Sequence, residues 1–233
     1  MIKAILFDFD NTLENWELAY KGLKGKFSEI ISKKYNIDKY RFFKELVKTD
    51  KMLSGNTSNP KKYGRQYWAK ITLARFGKRI DAKEAAEFEN LYWRYSLPLL
   101  KTFPDTKQTL SYLKKKYKLA LVTDSDGAVE RKDAKIKKIG IWNYLDAIIN
   151  SANIGTNKPS KKMWLAAIKK LKVKPKECLM VGDKPEIDLK VPKSMGMKTA
   201  WIVFGRWARE RKNKNYKYVD YKIKKISELK KAL

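Results

Sequence analysis

Two hydrophobic patterns divide this chain of 233 residues. Short apolar runs, each followed by a polar turn, predict buried β-strands at the start and throughout the second half. These predicted strands are residues 5–7, 119–123, 147–150, 178–181 and 199–203. Between them, the apolar residues of the stretch 15–97 recur at the spacing of an amphipathic helix. The pattern therefore predicts an α/β chain that a helical segment interrupts after the first strand.

The alternation of strands and helices indicates a doubly wound, Rossmann-like parallel sheet with helices on both faces. The interrupting segment reads as a bundle of four helices, the last of which begins at Asp81 with Glu84 three residues on. We therefore expect an α/β core made of residues 1–14 and 98–233, and an inserted helical bundle made of residues 15–97.

The composition indicates the class of protein and its expected location in the cell. Its hydrophobic fraction of 43% is that of an ordinary globular protein, and it has no apolar run of membrane-spanning length. We expect no signal peptide, because no apolar stretch followed by a cleavage site opens the sequence. Cys178 is the only cysteine, so no internal disulfide can form, which agrees with an expected location in the cytoplasm.

The charge balance is strongly positive, with 54 basic and 25 acidic residues giving a net charge of +29. Such a charge favours anionic partners, either small phosphorylated molecules or nucleic acid. A lysine-rich surface without any function explains the charge equally well. The sequence has no histidine, which excludes mechanisms of the Ser-His and Cys-His type and leaves acid–base chemistry to Asp, Glu, Lys, Tyr or the thiol.

The first strand ends in Asp8-Phe9-Asp10. Two carboxylates two residues apart on an extended backbone point to the same side, and they repel each other unless a cation lies between them. Oxygen ligands of this kind suit Mg²⁺ together with a substrate phosphate. An ordinary Asp-Asn turn at the end of a strand is the alternative for this stretch alone.

Three further loops carry polar residues at the predicted carboxyl ends of strands, where ligands bind in such sheets. Thr123-Asp124-Ser125 could hold a phosphate oxygen, or could be a helix cap. Lys158, followed by proline, could place a positive charge on a phosphate, although lysine is common in this chain. Asp183 and Asp188, which follow the strand at residues 178–181, could complete a cation site.

The order of these four segments resembles the haloacid dehalogenase superfamily, and the resemblance covers essentially the whole chain. Its motifs look like Asp8-x-Asp10-x-Thr12, a threonine that ends a strand, a lysine, and Gly-Asp183-x-x-x-x-Asp188. A helical insertion between the first two motifs looks like the helical cap found in one branch of the family.

The resemblance implies a role for each of the acidic residues. Asp8 would attack phosphorus and form a phosphoaspartyl intermediate, and a carboxylate is ionised at neutral pH without a histidine to activate it. Asp10 would be the general acid and then the general base, for which we expect a raised pKa. Mg²⁺ would be held by Asp8, by the backbone carbonyl of Asp10 and by Asp183. Asp188 would reach the metal through water or steady Lys158.

By the same resemblance, Thr123 and Lys158 would hold the phosphoryl oxygens, with Asp124 and Ser125 beside the substrate and Thr12 supporting the first motif. Relatives often have a small Asn-Gly pair after the threonine. The carboxylate of Asp124 at that place would disfavour a multiply charged substrate, unless it points away or meets a substrate hydroxyl.

An aspartate at position 10 points to a phosphatase acting on a small phosphorylated metabolite, because dehalogenases of the family lack an acid there. A phosphomutase is a lesser alternative. The other alternative is a protein directed to nucleic acid, either an end phosphatase or a basic binder. Its support is the net charge and the basic, aromatic-containing stretch 206–218.

Overall fold

The structure is a computed structural model that describes residues 1–211 and 215–232. Its centre is a six-stranded parallel sheet with the strand order β3-β2-β1-β4-β5-β6. The strands are β1 (Ala4–Phe7), β2 (Lys118–Thr123), β3 (Ala147–Asn150), β4 (Cys178–Gly182), β5 (Lys198–Ile202) and β6 (Tyr221–Ile223).

The sequence of β1 explains its central place. All four of its residues are fully buried. Ile5 and Phe7 face one hydrophobic core, whereas Ala4 and Leu6 face the other, as the two-residue period of a strand requires. β1 pairs with β2 on one side and with β4 on the other. The direction of winding therefore reverses between β1 and β4, and in such a sheet ligands bind at the carboxyl ends beside this reversal.

Helices cover both faces of the sheet, as the alternation of strands and helices predicts. The helices outside the inserted segment are α6 (Thr106–Lys114), α7 (Val129–Lys138), α8 (Ser151–Ile154), α9 (Lys161–Leu171), α10 (Lys190–Ser194), α11 (Gly205–Arg211) and α12 (Leu229–Ala232). A π-helical turn, Pro185–Leu189, carries Asp188 and leads into α10.

The segment between β1 and β2 is helical, as predicted. Its helices are α1 (Trp16–Gly22), α2 (Ser28–Tyr35), α3 (Lys39–Leu53), α4 (Arg65–Ala74) and α5 (Ala82–Ser96). α5 begins with the expected capping box, in which the Asp81 side chain and the Glu84 side chain each accept a hydrogen bond from the other residue's backbone N–H. Phe88 packs edge to face against both Phe27 and Phe42 inside the segment, and all three rings are almost wholly buried. We call residues 16–99 the helical segment.

Two short stretches that run side by side join the helical segment to the sheet. The Asn15 N–H donates to the carbonyl of Lys101 at 2.9 Å, and Glu14 pairs with Thr102 in an antiparallel bridge. We call this paired connection, residues 14–15 and 101–102, the hinge. It lies four residues after Asp10, so the helical segment leaves the core right beside the first motif.

The structure corrects the element predictions at two points. The strand at residues 199–203 is not the last one, because β6 adds to the edge beyond it. The helical segment contains α1 in addition to the four predicted helices. Among the residues described, no helix is both long enough and apolar enough to cross a membrane.

Candidate active site

The turn after β1 places Asp8 and Asp10 at the carboxyl edge of the sheet. The Asp8 N–H donates to the carbonyl of Val181 in β4, and the Thr12 hydroxyl donates to Asp8 Oδ2 at 3.1 Å. Asn11 has a left-handed backbone with a φ of 61°, a conformation that asparagine tolerates better than most residues. Its Oδ1 accepts a hydrogen bond from the Trp16 N–H at the start of α1. These hydrogen bonds connect the turn that carries the two aspartates to β4 on one side and to the start of α1 on the other.

Three buried carboxylates meet beside this turn. Oxygen atoms of Asp8, Asp183 and Asp188 lie within 4.8 Å of one another. Both carboxylate oxygens of Asp183 are buried and have no hydrogen-bond partner among the described residues. Burial, together with the negative charges of Asp8 and Asp188, raises the pKa of Asp183 well above its ordinary value. Burial also raises the pKa of Asp188, to about 6. The cluster is therefore short of positive charge.

Lys158 lies against the same cluster. Its Nζ donates to Asp8 Oδ1 at 2.5 Å and to Asp188 Oδ1 at 2.7 Å, and its side chain is buried. Burial lowers the pKa of Lys158, but the charges of Asp188 and Asp8 outweigh burial, so the pKa lies well above its ordinary value. This lysine stays protonated, and it offsets part of the negative charge that the three carboxylates bring together.

The loop after β2 forms a second wall of the site. Thr123 is buried, and its hydroxyl donates to the carbonyl of Asp124 at 3.1 Å. Asp124 Oδ1 accepts the backbone N–H of Lys158 at 2.8 Å, so this carboxylate fixes the lysine loop. The Ser125 hydroxyl donates to the carbonyl of Pro60, in the helical segment, at 3.4 Å. Asp124 and Ser125 therefore have structural partners in addition to their place beside the cavity.

Asp10 differs from the expectation drawn from the sequence. Its two carboxylate oxygens accept from Lys132 Nζ at 2.7 Å and from Lys135 Nζ at 2.5 Å, both on α7. Burial raises the pKa of Asp10, but the two lysine charges outweigh burial and lower the pKa well below its ordinary value. The predicted raised pKa is therefore wrong for this structure.

Both lysines also face a second carboxylate. Asp126 Oδ2 lies 3.0 Å from Lys132 Nζ and 3.4 Å from Lys135 Nζ. Its other oxygen accepts from Nη2 of Arg65, on α4 of the helical segment, at 2.8 Å. We call Arg65, Asp126, Lys132, Lys135 and Asp10 the charge network. All but Asp10 are nearly wholly buried.

A small cavity of about 70 Å³ lies between the sheet edge and the helical segment. The core lines it with the predicted Asp8, Asp10, Thr123, Asp124, Ser125, Lys158 and Asp188. The helical segment contributes Trp16, Asp50, Ser54, Tyr63, Arg65 and Trp68. The cavity is mostly polar in its lining residues, and it is too small to admit a large substrate while the helical segment is in this position.

Sequence reasoning missed the charge network beyond Asp10. A signal for its lysines exists, because residues 132, 135, 136 and 139 fall on one face of α7, and Ile136 and Ile139 mark that face as buried. It also missed Glu14, which is completely buried and whose carboxyl oxygens have no hydrogen-bond partner among the described residues. Burial and the charge of Asp10 raise the pKa of Glu14 well above its ordinary value.

The fold is that of an α/β enzyme. Its cluster of three aspartates lies at the carboxyl ends of β1 and β4, where the strand order of the parallel sheet reverses. Residues 5–202 match the family model described as haloacid dehalogenase-like hydrolase, and the chain belongs to that family. The expected resemblance, the Rossmann-like parallel sheet and the assignment as a hydrolase are confirmed.

Two curated relatives and one solved structure similar to this chain carry the names of phosphatases. The glyceraldehyde 3-phosphate phosphatase of Methanocaldococcus jannaschii is 30% identical over 98% of this chain and 96% of its own length. The ribulose-1,5-bisphosphate 5-phosphatase of Halopiger xanaduensis is 26% identical over 85% of this chain and 84% of its own. The crystal structure of a phosphatase of this superfamily from Thermococcus onnurineus is 27% identical and superposes with a TM-score of 0.72, covering 99% of this chain and 97% of that one.

Proposed function

We propose that this protein is a Mg²⁺-dependent phosphatase that hydrolyses a small phosphomonoester through a phosphoaspartyl intermediate on Asp8. The observation that supports it most is the meeting of Asp8, Asp183, Asp188 and Lys158 at the carboxyl ends of β1 and β4. Phosphoryl transfer depends on positioning and on charge stabilisation, and this set of residues supplies both a nucleophile and a charged group to hold the phosphoryl oxygens.

The acidic cluster fits a hard divalent cation. Asp183 has two buried carboxylate oxygens without a hydrogen-bond partner among the described residues, and Asp8 and Asp188 place further oxygens within 4.8 Å of it. Mg²⁺ prefers oxygen ligands and keeps several waters, so one or two carboxylates suffice to hold it. Asp8 and Asp183 would bind the ion, with the backbone carbonyl of Asp10 beside them. Bound Mg²⁺ would supply positive charge that offsets the repulsion between the phosphate and Asp8.

In the proposed reaction, a carboxylate oxygen of Asp8 forms a bond to phosphorus while the bond between phosphorus and the ester oxygen breaks. For the leaving alkoxide to take a proton from Asp10, that carboxyl must first be protonated, so its ion pairs with Lys132 and Lys135 would have to open when the substrate binds. Water then attacks the phosphoaspartate, and the ionised Asp10 accepts a proton from it, which releases Asp8 and inorganic phosphate. Lys158 is placed to hold the phosphoryl oxygens, and Thr123 lies at the same wall of the cavity.

The cavity supports a substrate of a few carbon atoms. Its volume of about 70 Å³ and its polar lining suit a phosphate on a short hydroxylated chain. Relatives whose names give glyceraldehyde 3-phosphate or a ribulose bisphosphate as substrate agree with this class. Asp124 Oδ1 accepts the Lys158 N–H, so this oxygen faces the lysine loop, although Asp124 also lines the cavity; this contact weakens the objection that Asp124 would repel the phosphate. The helical segment would act as a cap that must move for substrate to enter.

Release of phosphate from p-nitrophenyl phosphate tests the proposal. We expect activity with Mg²⁺, none in EDTA, and none in Asp8→Asn, which keeps the shape of the side chain but removes the nucleophile. Asp133→Asn is the matched control, because it makes the same chemical change on α7 away from the cavity. Activity that persists in EDTA, or in Asp8→Asn, would contradict the mechanism.

A screen of phosphorylated three- to five-carbon sugars and of phosphorylated carboxylic acids then tests the substrate class. We expect the sugar phosphates to give the higher kcat/KM. A preference for large nucleotides would show that the size of the cavity does not limit the substrate.

A further inference from the structure

Trp207 is a buried tryptophan that packs into neither hydrophobic core. It lies on α11 and only 7% of its surface is exposed, yet it joins neither of the two clusters of buried apolar side chains on the faces of the sheet. Its ring instead lines the cavity at the carboxyl edge of the sheet. Because ligand pockets are lined largely by apolar and aromatic side chains, this placement indicates that the ring forms part of a binding site.

Two cations hold the ring of Trp207 in place. Lys184 Nζ lies 4.7 Å from the centre of the ring, and the guanidinium carbon of Arg211 lies 4.9 Å from it. Arg211 is itself fixed, because its Nε donates to Glu186 Oε2 at 2.7 Å and its Nη1 donates to the carbonyl of Trp207 at 3.3 Å. Glu186 also accepts from the Tyr216 hydroxyl at 2.6 Å. We therefore expect the ring to stay in place when a substrate binds.

Trp207 is the only aromatic side chain that the described residues outside the helical segment contribute to the cavity. The other aromatic side chains of the lining belong to the helical segment, and they are Trp16, Tyr63 and Trp68. Those three side chains would move away from Asp8 together with the helical segment. Trp207 lies on a helix of the core, so it should keep its distance from Asp8 when the helical segment moves.

The loop after β4 fixes the place of Trp207 relative to the acidic cluster. Lys184 follows Asp183 directly in the chain, and its backbone N–H donates to Asp188 Oδ2 at 2.9 Å. The lysine that contacts the ring is thus tied to the cluster both by the chain and by a hydrogen bond. The space beside the cluster is a cavity of only about 70 Å³. A substrate chain that extends from the cluster toward Trp207 therefore meets a fixed ring after a few carbon atoms.

We propose that Trp207 is a specificity-determining residue that limits the length of the substrate. The substrate class is then a phosphomonoester of a hydroxylated chain of about three to five carbon atoms. A longer chain would have to displace the ring from its contacts with Lys184 and Arg211. One carbon too many in a closely fitting pocket changes kcat/KM by about 10–200-fold. This inference rests on the proposed function, because it places the phosphate of the substrate at Asp8.

The experiment uses the terminal phosphates of glycerol, erythritol, ribitol and glucitol. These four molecules stay open chains and release the same kind of primary alkoxide, but they increase in length from three to six carbon atoms. Phosphate release with Mg²⁺ gives kcat/KM for each of them. In wild type we expect kcat/KM for the six-carbon phosphate to lie about 10-fold or more below that for the three-carbon phosphate. In Trp207→Ala the two values should agree within about 3-fold, because the ring no longer closes the cavity.

Two further variants make the result decisive. Trp142→Ala is the matched control, because Trp142 also has a cation over its ring, Lys137 Nζ at 4.8 Å from the ring centre, but lies outside the lining of the cavity. Its ratio of the two kcat/KM values should equal that of wild type. Trp207→Phe keeps a smaller aromatic ring, so its ratio should lie between those of wild type and Trp207→Ala. A substitution that merely loosened the site would slow all four substrates by the same factor.

The outcomes separate this inference from the proposed function. Wild-type protein that releases phosphate from none of the four molecules would overturn the proposed function, and this inference with it. An active wild type whose kcat/KM does not fall with chain length would overturn the length limit alone. So would a Trp207→Ala variant that keeps the wild-type ratio. Should Trp207→Ala fail to fold, Trp207→Phe decides the question, and an unchanged ratio in that variant would overturn the role of Trp207.

Discussion

Replacing Asp183 by asparagine should stabilise the protein when no metal is present. Oxygen atoms of Asp183, Asp8 and Asp188 lie within 4.8 Å of one another, and Lys158 contacts the other two carboxylates. Two like charges about 4.8 Å apart repel by about 3.5 kcal/mol at an effective dielectric constant of 20. Partial protonation of Asp183 limits this repulsion, so we expect Asp183→Asn to raise the free energy of unfolding by about 1–3 kcal/mol.

Thermal unfolding with and without Mg²⁺ provides the assay. For a chain of this length, about 1 kcal/mol corresponds to about 2–4 °C in Tm, so the variant in EDTA should melt about 2–12 °C above wild type. Mg²⁺ at about one hundred times its Kd should stabilise wild type by about 2.7 kcal/mol. Its effect on the variant should be nearly absent.

Asp133→Asn is the control for the loss of one negative charge, and it should retain the full response to Mg²⁺. The reasoning is refuted if Asp183→Asn is destabilised in EDTA, or if it responds to Mg²⁺ as wild type does. Either result would mean that Asp183 has a partner other than the ion. It would also mean that repulsion among the three carboxylates does not destabilise the protein without metal.

Three further predictions concern other parts of the chain. Glu14→Leu should change the free energy of unfolding in urea by less than about 1 kcal/mol or raise it, because it removes a buried carboxyl that has no hydrogen-bond partner in the described part of the chain. Leu13→Ala beside it should instead lower the free energy of unfolding by about 2–5 kcal/mol. Cys178 is buried, and burial raises the pKa of its thiol to about 12. The thiol should therefore react with Ellman's reagent only after denaturation. Reaction in the native protein would show that β4 opens locally. If the net charge of +29 serves nucleic acid, a labelled oligonucleotide should bind at low salt with an affinity that falls steeply as salt rises, and no binding at low salt would end that alternative.

The strands and the four motif segments could be predicted because their signals are local. A short apolar run that ends in acid marks both the strand and its chemistry, as in β1 with Asp8 and β4 with Asp183. β6 was not predicted because it has only three residues, with a lysine at the centre. It lies at the edge of the sheet, where a strand is only partly buried and its sequence therefore lacks an apolar run. Part of the basic stretch at residues 206–218, namely residues 212–214, lies outside the described residues.

The environment of Asp10 could not be predicted because its partners are distant in the sequence. Lys132 and Lys135 lie 122 and 125 residues away, and lysines are rarely buried, so nothing local connects them to this aspartate. The contact between Arg65 and Asp126 likewise depends on how the helical segment lies on the core. The expected raised pKa followed from the role of general acid that the resemblance implies for Asp10, whereas in the folded chain two positive charges lower its pKa.

The position of the hinge gives the helical segment mechanical leverage. The paired stretches at residues 14–15 and 101–102 lie beside the turn that carries Asp8 and Asp10, whereas α3 alone, with its 15 residues, is about 22 Å long. A rotation of about 10° at the hinge would move an atom one such length away by about 4 Å, and would barely displace Asp8. A small rotation next to Asp8, the proposed nucleophile, is therefore enough to break contacts between the helical segment and the core while the Asp8 carboxylate keeps its position.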